Sequence, residues 1–116
     1  MTAIALSAAD VLRARYGISA RIVHMPSIRP IDEALIGETA RKCGTLITLE
    51  NGRVGAGFGN CVCEAVCRTA PARVHQIGVA RDQLPGSDHL YNLLRHHQLL
   101  PGDVAQRAAV ILHNRI

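Results

Sequence analysis

The stretch Leu46–Asn60, LITLENGRVGAGFGN, decides the fold because it runs from an apolar strand through a glycine-rich turn into a helix. Thr45–Leu49 is apolar and β-branched, which predicts a strand buried on both faces. Glu50–Gly57 reads as a loop, and from Phe58 onward apolar residues recur at helical spacing. Strand, turn and helix in this order are typical of an α/β fold on a parallel sheet.

The same alternation continues on both sides of this stretch. Upstream and downstream we predict the helix Thr2–Tyr16, the strand Ala20–Met25, a helix from Asp32 to Cys43, the strand Arg73–Val79, a helix over Asp88–His97 and a last helix from Pro101. We expect Gly17 to end the first of these helices, Asp32 to cap the start of the second and Gly44 to end it. We therefore expect a three-layer α/β/α sandwich on a mostly parallel sheet, in a single domain over residues 1–116. The pattern opens on a helix and shows only three strands, so an N-terminal strand is expected to be missing.

Composition excludes several classes of function. The chain has 116 residues and is 48% hydrophobic, which suits one packed core. Its formal net charge of +4 is scattered and aromatic residues make up 3%, so we predict no nucleic-acid binding. No apolar run reaches the roughly 20 residues of a membrane span, and the N-terminus lacks a signal-peptide pattern. We expect a cytoplasmic protein without a membrane partner.

The glycines of the turn carry its chemistry. Gly55, Gly57 and Gly59 allow the backbone to approach another backbone, or an anion at the start of the helix. Their spacing matches neither the dinucleotide fingerprint nor a Walker loop. Two interpretations stay open: tight structural packing, or a small-anion site with Arg53 as a ligand. We expect Glu50, at the end of its strand, to accept backbone N–H bonds from the turn, with a subunit contact as the alternative.

Cysteine and histidine residues offer few further sites. Cys63 and Cys67 share one face of the predicted helix, while Cys61 lies nearly opposite, so the three thiols cannot converge on a metal. We expect Cys61 in the core and all the thiols reduced. His24 ends a predicted strand, at the sheet edge where open α/β folds bind ligands, and is a ligand candidate.

Four stretches in sequence order resemble the C-terminal domain of the transketolase family. Arg29–Asp32 is similar to the family's (K/R)-P-x-D, Leu46–Asn60 to its T-x-E-E/N…G-G-x-G passage, Val74–Val79 to its last strand, and Leu90–Val104 to its C-terminal tail. Transketolases, deoxyxylulose-phosphate synthases and 2-oxoacid dehydrogenase β subunits share this domain. The chain departs from the pattern at Ala56, Ala80-Arg81 and Gln98, where the family has Gly, Pro-Asp and Gly.

The resemblance implies a C-terminal domain or subunit of a thiamine-diphosphate-dependent transketolase-type enzyme, inactive alone, that supports dimer and interdomain architecture. It implies no catalytic, cofactor-binding or metal residue and no cofactor bound by this chain alone. Thiamine diphosphate and a divalent metal would belong to N-terminal and middle domains, in the same or separate chains of a homo- or hetero-oligomer. The residues expected to form the structural motif or interface are Pro30, Asp32, Glu50, Gly55, Gly57 and Gly59.

Two alternatives remain beside this interpretation. One is a free-standing small-anion binding module that uses the turn Gly52–Gly59 with Arg53. The other is a 2-oxoacid dehydrogenase β-subunit domain, in which the same fold would serve a different enzyme.

Overall fold

The computed structural model describes residues 1–83 and 86–114, and these residues form two compact units. One unit contains the described residues of Met1–His24 and Pro85–Ile116, and the other those of Met25–Leu84. The described elements are α1 (Thr2–Tyr16), α2 (Glu33–Cys43), β1 (Thr45–Arg53), α3 (Phe58–Thr69), β2 (Arg73–Val79), α4 (Leu90–His96) and α5 (Pro101–His113). That the two units act as the single domain expected from the sequence stays a prediction.

The ends of the helices follow from their capping residues. The Asp32 side chain accepts the N–H of Leu35 at 3.0 Å, so it caps α2 as predicted. Gly17 and Gly44 adopt left-handed conformations, with φ of 64° and 71°, and end α1 and α2. The sequence therefore predicted these helix ends correctly.

In the unit of residues 25–84, β1 and β2 pair in parallel from Thr45 opposite Arg73 onward. Helices α2 and α3 pack on each other and on the strands. Their core cluster consists of Ile36, Val62, Ala65 and Val66, and Leu46 and Val74 from the two strands pack against it. The α/β class and the parallel sheet are thus confirmed, with α2 and α3 covering the face of the strands that carries Leu46 and Val74.

An ion pair also joins the two helices of this unit. Arg68, near the end of α3, donates Nε and Nη2 to Glu33 Oε1 at 2.9 and 2.6 Å. These hydrogen bonds from the start of α2 raise the pKa of the Arg68 guanidinium above its ordinary value. Both side chains are largely exposed, so the pair adds little to stability.

Three predicted elements differ from the structure. Ala20–Met25 is not a strand, because β propensity is expressed only through pairing and this segment pairs with neither described strand. β1 continues to Arg53 instead of ending at Leu49, since Gly52 and Gly78 let the two strands stay close. α4 is shorter than expected because Asp88 stays outside the helix and accepts the N–H of His89.

The other unit is built around helices α1 and α5, which pack together. Their buried residues are mostly small, which permits a close helix contact. They are Ala8, Ala9 and Leu12 from α1, and Val104, Ala105, Ala108 and Ala109 from α5. None of the helices described in either unit has the length and apolar character needed to cross a membrane.

Candidate functional site at the glycine turn

The carboxylate of Glu50 sits at the amino end of α3. Its Oε2 accepts the N–H of Phe58 at 3.3 Å, and its Oε1 accepts the N–H of Gly59 at 3.1 Å. N–H groups in the first turn of a helix have no partner within the helix, and the positive end of the helix dipole favours a carboxylate there. The backbone bonds predicted for Glu50 are therefore present, and this helix end is neutralised from within the chain.

A second set of hydrogen bonds fixes the glycine turn, defined as Gly52–Gly59. The N–H of Gly55 donates to Gln76 Oε1 at 3.0 Å, and Asn60 Nδ2 donates to the Gly55 carbonyl at 2.7 Å. Gln76 Nε2 closes the ring by donating to Asn60 Oδ1 at 3.2 Å. Sequence reasoning missed Gln76 and Asn60, although a polar residue in the middle of an apolar strand is a usable signal.

The glycines leave no room for side chains. A Cβ on Gly57 would lie 2.6 Å from Glu50 Oε2, and one on Gly59 would lie 2.5 Å from Gln76 Oε1. A Cβ on Gly78 would lie 2.7 Å from the Gly52 carbonyl oxygen, which is backbone and has little freedom to move. The space that glycine leaves is thus filled by the polar groups that hold the turn.

Two exposed arginines flank the turn. Arg53 is the last residue of β1, and Arg81 follows the end of β2 by two positions. The Arg81 guanidinium covers Gly55, since its Nε is 2.7 Å from the position of a Cβ there. Gly55 has φ of 85°, a conformation that L side chains rarely adopt. The carboxyl end of this two-stranded sheet therefore presents positive charge.

The remaining predicted residues lie apart from this network. Ser27 Oγ donates to the Pro30 carbonyl at 2.8 Å in the loop before α2, where Asp32 acts as a cap. His24 belongs to the other unit and pairs through Nδ1 with Thr2 Oγ1 at 2.7 Å. Because the expected strand before His24 is absent, the structure does not place His24 at a strand end.

The cysteines are free thiols in different surroundings. Cys61 is half-buried and lies outside the core cluster, so the prediction that it belongs to the core is wrong; the neighbouring Val62 takes the buried position. Cys63 is half-buried, with Sγ 3.6 Å from Gln76 Nε2, and Cys67 is exposed. Across residues 1–83 and 86–114, no three His, Cys, Asp or Glu side chains are grouped to hold a metal ion.

Comparisons with known proteins point to one family. The family described as "Transketolase, C-terminal domain" matches residues 1–99. The pyruvate dehydrogenase E1 component subunit beta of Pisum sativum is 35% identical over 101 residues, 84% of this chain and 28% of that protein. A transketolase family protein of Sinorhizobium fredii is 42% identical over 82 residues, 68% of this chain and 24% of that protein.

A solved structure has the same fold. It is titled "Split gene transketolase, inactive beta4 tetramer", and it matches with a TM-score of 0.82 and 39% identity over 96% of this chain. The present chain spans 35% of that chain, and 28% and 24% of the two relatives above. It therefore corresponds to about a third or less of each of these proteins.

Proposed function

The chain belongs to the transketolase C-terminal domain family, and we propose that it serves as the C-terminal domain or subunit of a thiamine-diphosphate-dependent transketolase-type enzyme. The family match over residues 1–99 carries the proposal, and the turn that belongs to the family resemblance is held by the chain's own Glu50 and Gln76. A turn whose donors are satisfied internally is suited to support an interface. We infer a role in dimer and interdomain architecture, with the chemistry carried by other domains.

The described residues do not fit thiamine diphosphate and its metal. A diphosphate needs N–H donors of the kind found at a helix N-terminus, and Phe58 and Gly59 donate theirs to Glu50. A divalent ion needs converging oxygen ligands, and the part of the chain that the structure describes contains no such group. In line with what the family resemblance implies, we propose that the N-terminal and middle domains of the enzyme hold the cofactor and the metal.

Those domains would come from the same chain or from a separate one. The split-gene structure bears on both arrangements: its title describes a transketolase encoded in parts, and this chain matches only 35% of the chain in that structure, which therefore carries further residues beside this domain. We propose a cytoplasmic homo- or hetero-oligomer built on at least a dimer. In it, Pro30, Asp32 and the glycine turn would support contacts to the other domains.

A 2-oxoacid dehydrogenase is the second candidate. The Pisum sativum pyruvate dehydrogenase β subunit matches 84% of this chain, so the same domain would suit that enzyme. The free-standing anion module is disfavoured, because Glu50 already occupies the helix end on which it would depend. A neighbouring gene that encodes a lipoyl-bearing protein would favour the dehydrogenase. A neighbouring gene that encodes a transketolase N-terminal domain would favour the transferase.

Titration calorimetry with thiamine diphosphate and Mg²⁺ tests the proposal. We expect no heat of binding with the isolated chain, and binding once the polypeptide carrying the N-terminal and middle domains is added. The added polypeptide should also elute together with this chain in size-exclusion chromatography. Saturable cofactor binding by the isolated chain would overturn the assignment.

A further inference from the structure

We propose that Arg53 and Arg81 form a docking point for a carboxylate-bearing segment of the polypeptide that supplies the N-terminal and middle domains. The inference rests on the proposed function and names the surface through which that partner is held. It depends on three observations: the position of the two arginines, their lack of ion-pair partners among the described residues, and the hydrogen bonds that already occupy the turn beneath them.

Position comes from the register of the sheet. Arg53 lies opposite Val79, and neighbouring strands are about 4.8 Å apart, so β1 and β2 end side by side. Arg81 then folds over Gly55, two residues beyond Arg53. Both arginines thus lie at the carboxyl ends of the strands, beside the glycine turn.

The ion pairs among the described residues do not include either arginine. Within residues 1–83 and 86–114, the ion pairs that form involve other side chains, and neither Arg53 nor Arg81 makes one. Of the acidic residues nearest in sequence, Glu50 is engaged by α3 and Asp82 is exposed. Among the described residues, the two positive charges of this surface thus have no acidic partner.

The turn beneath the arginines selects the kind of partner. The N–H of Gly55 is taken by Gln76, and those of Phe58 and Gly59 are taken by Glu50. A free phosphate would find only two exposed guanidinium groups, and exposed ion pairs are individually weak. A protein carboxylate gains from the rest of its interface, and the arginine fork binds carboxylates with two parallel hydrogen bonds.

Charge reversal tests this surface. The test variants are Arg53→Glu, Arg81→Glu and the two combined. The control is Arg73→Glu, which replaces an exposed arginine at the amino end of β2 and gives the chain the same net charge as each single test variant. Affinity for the polypeptide with the N-terminal and middle domains is measured at low and at high salt. We expect a loss of about fivefold or more for each single variant, a larger loss for the pair, and a change below about twofold for Arg73→Glu.

The outcomes separate this inference from the proposed function. Circular dichroism first establishes that each variant is folded. If the wild-type chain binds the polypeptide and Arg53→Glu and Arg81→Glu bind as well as Arg73→Glu does, the docking point is overturned and the proposed function stands. If the wild-type chain fails to bind, both are overturned. Thermal stabilisation of the wild type by inorganic phosphate that disappears in the two variants would indicate a small-anion site and contradict the inference.

Discussion

Replacing Glu50 with alanine removes the only described acceptor for the N–H groups of Phe58 and Gly59. Hydrogen bonds to a charged group contribute about 1.5–3 kcal/mol each. Gly59 is buried and Phe58 is half-buried, so water can replace the lost acceptor at the Phe58 N–H more easily than at the Gly59 N–H. We therefore expect Glu50→Ala to lower the free energy of unfolding by about 2–3 kcal/mol, at or below the lower end of the roughly 3–6 kcal/mol to which the two bonds sum.

Chemical denaturation in urea measures this change, with helix content followed by circular dichroism. Glu50→Gln keeps one carbonyl acceptor but loses the charge, so its expected loss is about 1–1.5 kcal/mol. Glu64→Ala is the matched control: it removes an exposed acid within α3, the helix whose start Glu50 contacts, and the Glu64 carboxylate lies 3.7 Å from Arg68 Nη1. Its expected effect is below about 0.5 kcal/mol. If Glu50→Ala cost no more than Glu64→Ala, the account of the turn would be refuted.

Four further substitutions, one of them a control, test the fold by the same urea denaturation. Gly78→Ala puts a Cβ 2.7 Å from the Gly52 carbonyl oxygen and should lower the free energy of unfolding by about 2–3 kcal/mol. Its control is Gly102→Ala in α5, where a Cβ meets nothing within 4 Å and should stabilise the chain by about 0.5 kcal/mol. Equal effects of the two variants would contradict the close approach of the strands. Gln98 has a φ of 56°, which glycine adopts without strain, so Gln98→Gly should raise the free energy of unfolding by about 0.5 kcal/mol after the greater entropy of glycine in the unfolded chain is subtracted. A loss of stability would contradict strain at this residue. Asp32→Ala removes the cap of α2 and should cost about 1 kcal/mol, and an unchanged midpoint would show that the cap contributes nothing.

The sequence predicted what depends on neighbouring residues. The Asp32 cap and the glycine ends of α1 and α2 require only the local chain, and the structure shows them as expected. The bonds of Glu50 span only eight and nine residues, within one strand–turn–helix passage that the glycine spacing makes recognisable. Local chemistry was sufficient in each of these cases.

The sequence failed where a contact depends on pairing between distant segments. Gln76 reaches Gly55 only because the register of β2 on β1 brings together residues that are 21 positions apart. The expected strand Ala20–Met25 failed for the same reason, since a strand needs a neighbour that composition does not reveal. Arg81 was also missed, because its contact with Gly55 depends on how the chain leaves β2.

Ketol-transfer activity tests the central claim most directly. The isolated chain, the polypeptide with the N-terminal and middle domains, and their mixture are each assayed with thiamine diphosphate, Mg²⁺ and a ketose donor. The account predicts that the isolated chain is inactive and that the mixture is active, with activity rising to a plateau as this chain is added. Turnover by the isolated chain, or activity of the other polypeptide that this chain leaves unchanged, would contradict it.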